Sequence, residues 1–213
     1  MFEGVHKFGK HLFTLNLSPG FRVYGEKLVK KRGKEYRQWD PYRSKLCAAI
    51  LKGIKEIGMK LGDRVLYLGA ASGTTASHVS DIVGKDGYVF CLDIAPRVVR
   101  DLVMVCEKRE NMFPLLADAN KVEEYENLIP RCDVIYQDIA APNQVEILLK
   151  NLKFLKKGGY VLLAVKARSI DVTKKPKDIF KEVERELKEH LSIIDKKRLE
   201  PFEKDHMFYV MRT

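Results

Sequence analysis

The sequence predicts an α/β protein built on a doubly wound, mostly parallel sheet with an antiparallel hairpin at one edge. Three observations carry that expectation. Strand-like and helical runs alternate between residues 64 and 167. Several strand runs, among them VLYLG and VLLAV, are apolar throughout, as strands covered by helices on both faces must be. The last two strand-like runs, LSIIDKKRLEP and HMFYVMRT, follow one another with no helical stretch between them, so they pair antiparallel. At 213 residues the chain can hide about 70% of its unfolded surface, enough for a full core without disulfide or metal staples.

Residues 1–38 read as a small β region and 39–213 as the main domain. In the first part HLFTLNL and FRVYGEKLV flank Ser18-Pro19-Gly20, which predicts a β-hairpin about that turn. Asp40 is a suitable helix cap and Pro41 a suitable first helical residue. Leu46, Ile50, Ile54 and Ile57 then recur at helical spacing up to Gly58. The strand runs that follow are RVLYLGA (64–70), YVFCLDI (88–94), MFPLLADA (112–119), DVIYQDI (133–139) and YVLLAVKA (160–167). Helices are expected at 74–83, 97–110, 121–128 and 143–156, and a charged amphipathic one from Pro176 to Leu191.

Composition narrows the function. Apolar residues make up 46%, which fits a globular chain. The net charge of +10 points to a polyanionic partner, nucleic acid before membrane. Clean apolar runs such as Val161 to Val165 are far short of a membrane span, and the N-terminus has no signal-type apolar block. A cytoplasmic protein is expected. The four cysteines, at 47, 91, 106 and 132, lack the spacing of a structural zinc site, so no metal is assigned. Cys91 and Cys132 lie in apolar strand runs and read as buried thiols.

The chemistry should sit at the carboxyl ends of the strands. The first ends in Leu68-Gly69-Ala70-Ala71-Ser72-Gly73-Thr74-Thr75, a small-residue turn into a helix that offers free N–H groups. The second ends at Asp93, 20 residues after Gly73, placed to accept from both hydroxyls of a nucleoside ribose. The third ends at Asp118-Ala119, in reach of an adenine amine. A tight turn with two capping acids is the plain alternative. The turn and acids at three successive strand ends favour a nucleoside cofactor. Gly-Ala-Ala-Ser-Gly is not the G-x-G-x-x-G of dinucleotide sites, so S-adenosylmethionine is preferred to NAD. On the same edge Asp138 ends the fourth strand and Lys166 the fifth, where the two are expected to meet. Lys45, on the preceding helix, reaches the same crevice. Each lysine has a surface ion pair as its plain reading. His206 opens the final strand, with a strand-end hydrogen bond as the bland reading. Arg168, Lys174, Lys175 and Lys177 form a basic run that reads as a solvated loop.

The segments VYGEKL, YRQWDPYRSKLCAAILKG, VLYLGAASGTTASHVSDIVG, ADAN, DVIYQDIAAPNQ, VKARSID and EPFEKDH resemble the fibrillarin family in its archaeal form, from about residue 22 to the end. The resemblance implies a Rossmann-like class I S-adenosylmethionine-dependent methyltransferase with a seven-stranded sheet. It implies methylation of ribose 2′-hydroxyls in rRNA and tRNA, within a particle containing a C/D box guide RNA, a Nop-domain scaffold protein and a kink-turn-binding protein of the ribosomal type. It places the cofactor on Gly69, Ala70, Thr74, Thr75, Asp93, Ile94, Asp118 and Ala119, and on Asp138, Ile139, Ala140 and Ala141. It places a catalytic Lys-Asp-Lys-His set on Lys45, Asp138, Lys166 and His206. Asp93 stands where the family usually has Glu, and Ala141 where relatives usually show Gln. The implied reaction is an in-line displacement at the sulfonium methyl, with Lys166 orienting or deprotonating the hydroxyl and Asp138 holding Lys166. The competing readings are a non-catalytic RNA-binding subunit and a small-molecule O-methyltransferase.

Overall fold

A computed structural model describes residues 2–213. Seven strands form the main sheet: β5 (Arg64–Leu68), β6 (Tyr88–Asp93), β7 (Met112–Leu116), β8 (Cys132–Gln137), β9 (Leu155–Lys166), β10 (Ser192–Arg198) and β11 (His206–Arg212). Their order is β10-β11-β9-β8-β5-β6-β7. The pairs β5–β6, β5–β8, β6–β7 and β8–β9 are parallel. The expected hairpin is present: β11 runs antiparallel to both β9 and β10 and lies between them. The chain order reverses at β5, which has β6 on one side and β8 on the other. The switch-point crevice therefore opens beyond the ends of β5 and β8.

The helices are α1 (Lys45–Leu51), α2 (Thr74–Val83), α3 (Pro96–Cys106), α4 (Gln144–Asn151), the single-turn α5 (Ala167–Ile170) and α6 (Pro176–Lys188). One apolar cluster fills each face of the sheet. One contains Val65, Tyr67, Val79, Leu102 and Phe208; the other contains Leu66, Leu68, Leu148, Phe180 and Tyr209. Alternate residues of β5 thus serve opposite cores, which explains its unbroken apolar sequence. Cys47, Cys91 and Cys132 are buried and all four cysteines are free.

Three local expectations are corrected. The N-terminal region is a four-stranded antiparallel sheet of β1 (Val5–Phe8), β2 (His11–Leu15), β3 (Leu28–Lys31) and β4 (Lys34–Trp39), in the order β1-β2-β4-β3. No hairpin forms about Pro19-Gly20. Residues 21–27 form no strand because the Glu26 carboxylate folds back on the N–H groups of Val23 and Tyr24. Helix α1 is capped by Ser44, not Asp40, and it ends by Lys52 with Gly53 at φ +80° rather than at Gly58. Asp40 instead closes a turn, accepting from the Tyr42 N–H. The helix expected over 121–128 is only a 3₁₀ turn at Val122–Glu124.

A charged cluster seals the small sheet to α2. Arg37 on β4 is fully buried and pairs with Glu26 at 2.6 Å and Asp81 at 3.0 Å. Arg109 meets the other oxygen of Asp81 at 2.7 Å. The buried His78 ring sits between the hydroxyls of Thr14 and Tyr24, each 2.7 Å away, and stacks on Trp39. Burial, with Arg37 and Arg109 close by, drives the His78 pKa well below the usual histidine range. The Glu26 carboxyl is raised by burial, but Arg37 and the backbone donors outweigh that and hold it below its ordinary value.

Candidate active site

The glycine turn after β5 brings two strand ends together. Gly69 has φ +81°, and a Cβ there would lie 2.4 Å from the Asp138 carbonyl oxygen. Only glycine permits that conformation and that approach. The Asp138 N–H donates to the Leu68 carbonyl at 2.9 Å, locking the end of β8 to β5. The chain then enters α2 through Gly73, at φ +88°. The first N–H groups of a helix have no intrahelical acceptor, so this end favours an anionic ligand group.

Beyond Gly69 lies a crevice of about 280 Å³. It is lined by Gly69, Asp93, Ile94, Asp118, Ala119, Asp138, Ile139, Ala140 and Ala141, nine of the twelve expected cofactor residues. Ala70, Thr74 and Thr75 do not line it. Thr75 is buried and its hydroxyl donates to the Ser44 Oγ at 3.0 Å. Its side chain ties the start of α2 to the cap of α1. Leu92, Ala117, Asn120 and Ile147 complete the wall. Ala117 and Asn120 flank Asp118-Ala119 within ADAN, whereas Leu92 and Ile147 are ordinary apolar positions that spacing could not single out.

Asp93 has a double task. One oxygen accepts from the Ala71 N–H at 2.9 Å and the other from Ala95, which caps α3, at 3.0 Å. The same carboxylate faces the crevice. Asp118 accepts from the Asn120 backbone at 2.9 Å. The set fits S-adenosylmethionine: two carboxylates to accept from the hydroxyl or amine donors of its nucleoside, apolar walls at Ile94 and Ile139 for a ring, and a free helix start for the carboxylate of its methionine end.

The four expected catalytic residues gather at the same edge, with one correction. Asp138 pairs with Lys45 at 3.0 Å, each side chain about one-fifth exposed. It does not pair with Lys166. Lys166 is exposed and lies opposite His206 in the β9–β11 ladder. Lys45 wins because it begins α1, which Ser44 caps, and its ammonium meets the Asp138 carboxylate at the end of β8. Lys166 emerges two strands away from β5, on the far side of β8. His206 is buried, and its Nδ1 lies 2.7 Å from the Lys204 carbonyl. Burial, with the Lys45 charge nearby, lowers its pKa, so the neutral ring donates from Nδ1 and keeps Nε2 as an acceptor. Two of the four residues of the basic run are engaged locally: Arg168 pairs with Asp205 and Lys174 with Glu182.

A seven-stranded sheet in this order, with a nucleoside-sized crevice at its switch point, is the fold of the class I S-adenosylmethionine-dependent methyltransferases. A methyltransferase of that kind from Aquifex aeolicus shares the fold at TM-score 0.57 and 19% identity over 81% of this chain and 97% of that one. Much closer likenesses define the family. The fibrillarin family model matches residues 1–213, and the chain belongs to the fibrillarin family. The fibrillarin-like rRNA/tRNA 2′-O-methyltransferase of Pyrococcus horikoshii is 55% identical, covering 95% of this chain and 90% of its own length. A solved Methanococcus jannaschii fibrillarin has TM-score 0.95 at 48% identity, covering 100% of this chain and 95% of that one. Aeropyrum pernix fibrillarin, solved with natively bound S-adenosyl-L-methionine, has TM-score 0.88 at 49% identity over 94% of this chain and 88% of that one.

Proposed function

We propose that this chain is the catalytic subunit of an RNA-guided particle and methylates ribose 2′-hydroxyls of rRNA and tRNA, using S-adenosylmethionine. The observation that carries the proposal is the Lys45–Asp138 pair at the mouth of the crevice, 3.0 Å apart and partly exposed, on a chain of this family. S-adenosylmethionine, when bound, supplies an activated methyl group. Asp93 and Asp118 would hold its nucleoside, and the start of α2 its carboxylate.

The remaining chemistry belongs to the chain. A ribose hydroxyl is a weak acid, and alignment is the greater part of an in-line displacement. Asp138 fixes the Lys45 ammonium, whose remaining N–H donors can hold the substrate oxygen or an adjacent phosphate. Lys166 supplies a second cation beside the same edge, whose N–H donors orient the hydroxyl. Neutral His206 offers Nε2 as an acceptor within the cluster. The net charge of +10 favours a polyanionic substrate over a small neutral one. A related fibrillarin, 40% identical with TM-score 0.93 over 100% of this chain and 99% of that one, was solved in complex with Nop5p. That supports a Nop-domain scaffold partner here. A kink-turn-binding protein and a C/D box guide RNA complete the proposed particle.

The test is transfer of a tritiated methyl group to guide-matched RNA, with and without the scaffold and kink-turn proteins. Site-selective transfer is expected only in the assembled particle. Equal, selective transfer by the chain alone would contradict the guided reading, and no transfer in either case would contradict catalysis.

A further inference from the structure

Lys166 is the last residue of β9, and β8 ends too early to support it. The parallel pairing of β8 with β9 runs only to Gln137 opposite Leu163. On its other side the Lys166 backbone has a partner, His206 of β11. Towards β8 its N–H and C=O would be left without a strand. The side chain of Gln144, the first residue of α4 and fully buried, takes that place. Its Oε1 accepts from the Lys166 N–H at 3.1 Å, and its Nε2 donates to the Lys166 carbonyl at 3.1 Å. A carboxamide carries the same donor and acceptor as a peptide unit, so Gln144 extends the ladder by one artificial rung. Nε2 also donates to the Ala141 carbonyl at 2.8 Å, in the loop that walls the crevice. The Gln137 side chain, at the end of β8, in turn donates to the Gln144 carbonyl at 2.6 Å. One buried amide therefore joins the backbone of Lys166 to the loop that follows Asp138.

We infer that Gln144 is a positioning residue for the reaction. It holds Lys166 in register with the crevice loop, so that the lysine is presented at a fixed distance from the methyl site. The inference rests on the reading that Lys166 acts in methyl transfer. An exposed lysine on a strand end held from one side only would swing with the backbone. A displacement of about 1 Å costs on the order of a hundredfold in an aligned transfer. The residue touches no crevice surface, so its effect must pass through Lys166 and Ala141.

The experiment uses the assembled particle with guide and target RNA saturating. Single-turnover methylation rates are measured for the wild type, Gln144→Leu and Gln144→Glu, with S-adenosylmethionine affinity measured by calorimetry on each. Gln144→Leu removes the donor and the acceptor at similar volume. Gln144→Glu keeps the acceptor for the Lys166 N–H and puts an oxygen in place of the Nε2 donor group that faces the Lys166 and Ala141 carbonyls. The expected result is a rate loss of about 10–100-fold for Gln144→Leu at saturating cofactor, with affinity within about threefold of wild type. The loss for Gln144→Glu should be smaller. Hydrogen exchange should show the Lys166 amide losing protection in the first variant and keeping it in the second. A folded Gln144→Leu particle at the wild-type rate would overturn the inference. So would a rate loss that vanishes as cofactor is raised, since that places the role in the Ala141 loop alone. If Gln144→Leu does not fold, Gln144→Met, which also lacks the amide donor and acceptor, decides: a wild-type rate overturns the inference. An inactive wild-type particle would instead defeat the proposed function.

Discussion

A lysine and a carboxylate 3.0 Å apart, each about one-fifth exposed, are neither sealed from water nor fully screened by it. Such a pair can open towards a substrate without leaving a buried charge stranded. Lys45→Ala should leave cofactor affinity within about threefold and cut single-turnover methylation by about 10²–10⁴. Because Lys45 and Asp138 touch, the double variant should be little worse than the poorer single. Strictly additive rate losses would show that the contact has no part in the reaction. Asp93 differs from both. Its oxygens already hold Ala71 and Ala95, so Asp93→Ala should weaken S-adenosylmethionine binding by about 1.5–3 kcal/mol and also lower stability, by about 0.5–2 kcal/mol as for a lost cap. Calorimetry and denaturant unfolding read the two effects separately; lost stability with unchanged affinity would reduce Asp93 to a cap.

At the scale of elements, the starts of α1 and α2 are tied by one pair of hydroxyls. Thr75 donates to Ser44, and Ser44 also accepts from the Cys47 N–H to cap the helix that begins with Lys45. Thr75→Val keeps the backbone at the glycine turn and removes only that bond. The expected outcome is a lower methylation rate at saturating cofactor with little change in cofactor affinity, and recovery in Thr75→Ser. A weaker affinity with an unchanged rate would return the Thr75 side chain to the cofactor. The motif Gly69 to Thr75 was legible as a ligand-binding turn because small residues between a strand and a helix have few other uses. The direction of the Thr75 hydroxyl was not, since it depends on where the tertiary fold places Ser44, 31 residues earlier in the chain.

The whole molecule depends on a cluster that local sequence does not reveal. Arg37, Glu26, Asp81 and Arg109 come from four separate segments and are all buried. Their charges balance, so the cost arises when one is removed. Asp81→Ala leaves Arg109 without a carboxylate and Arg37 with Glu26 alone, and should cost about 3–5 kcal/mol in denaturant unfolding. A loss below about 1 kcal/mol would mean that water reaches the cluster. Acid should act in two stages. The His78 and His206 pKa values are lowered from 6.5 in the fold, so below that pH the unfolded chain takes up protons that the folded chain refuses. Their contribution is complete above 6.5 and is lost as pH falls. The Glu26 carboxyl is lowered from 4.5, so its contribution is present above 4.5 and lost only on further acidification. Urea midpoints should therefore fall first below about pH 6.5 and again below about pH 4.5, with His78→Gln flattening the first decline. A midpoint constant between pH 7 and 5 would contradict the histidine assignment.

The sequence by itself determined the sheet, the crevice and the family, because these rest on local patterns. Apolar runs such as VLYLG must be covered on both faces, and a strand ending in Gly69 must turn tightly. The acids at 93, 118 and 138 close successive strands, so their common edge follows from the topology. Tertiary structure alone decided which partners they take. Asp138 met Lys45 rather than Lys166, because α1 begins beside the end of β8 while Lys166 ends β9 on the far side of that strand. The N-terminal segment made four strands rather than one hairpin, because Glu26 folds back on its own loop and finds Arg37 inside the protein. Periodicity reports which face a residue uses. It does not report the distance between two side chains far apart in the chain, and that distance sets which charges pair.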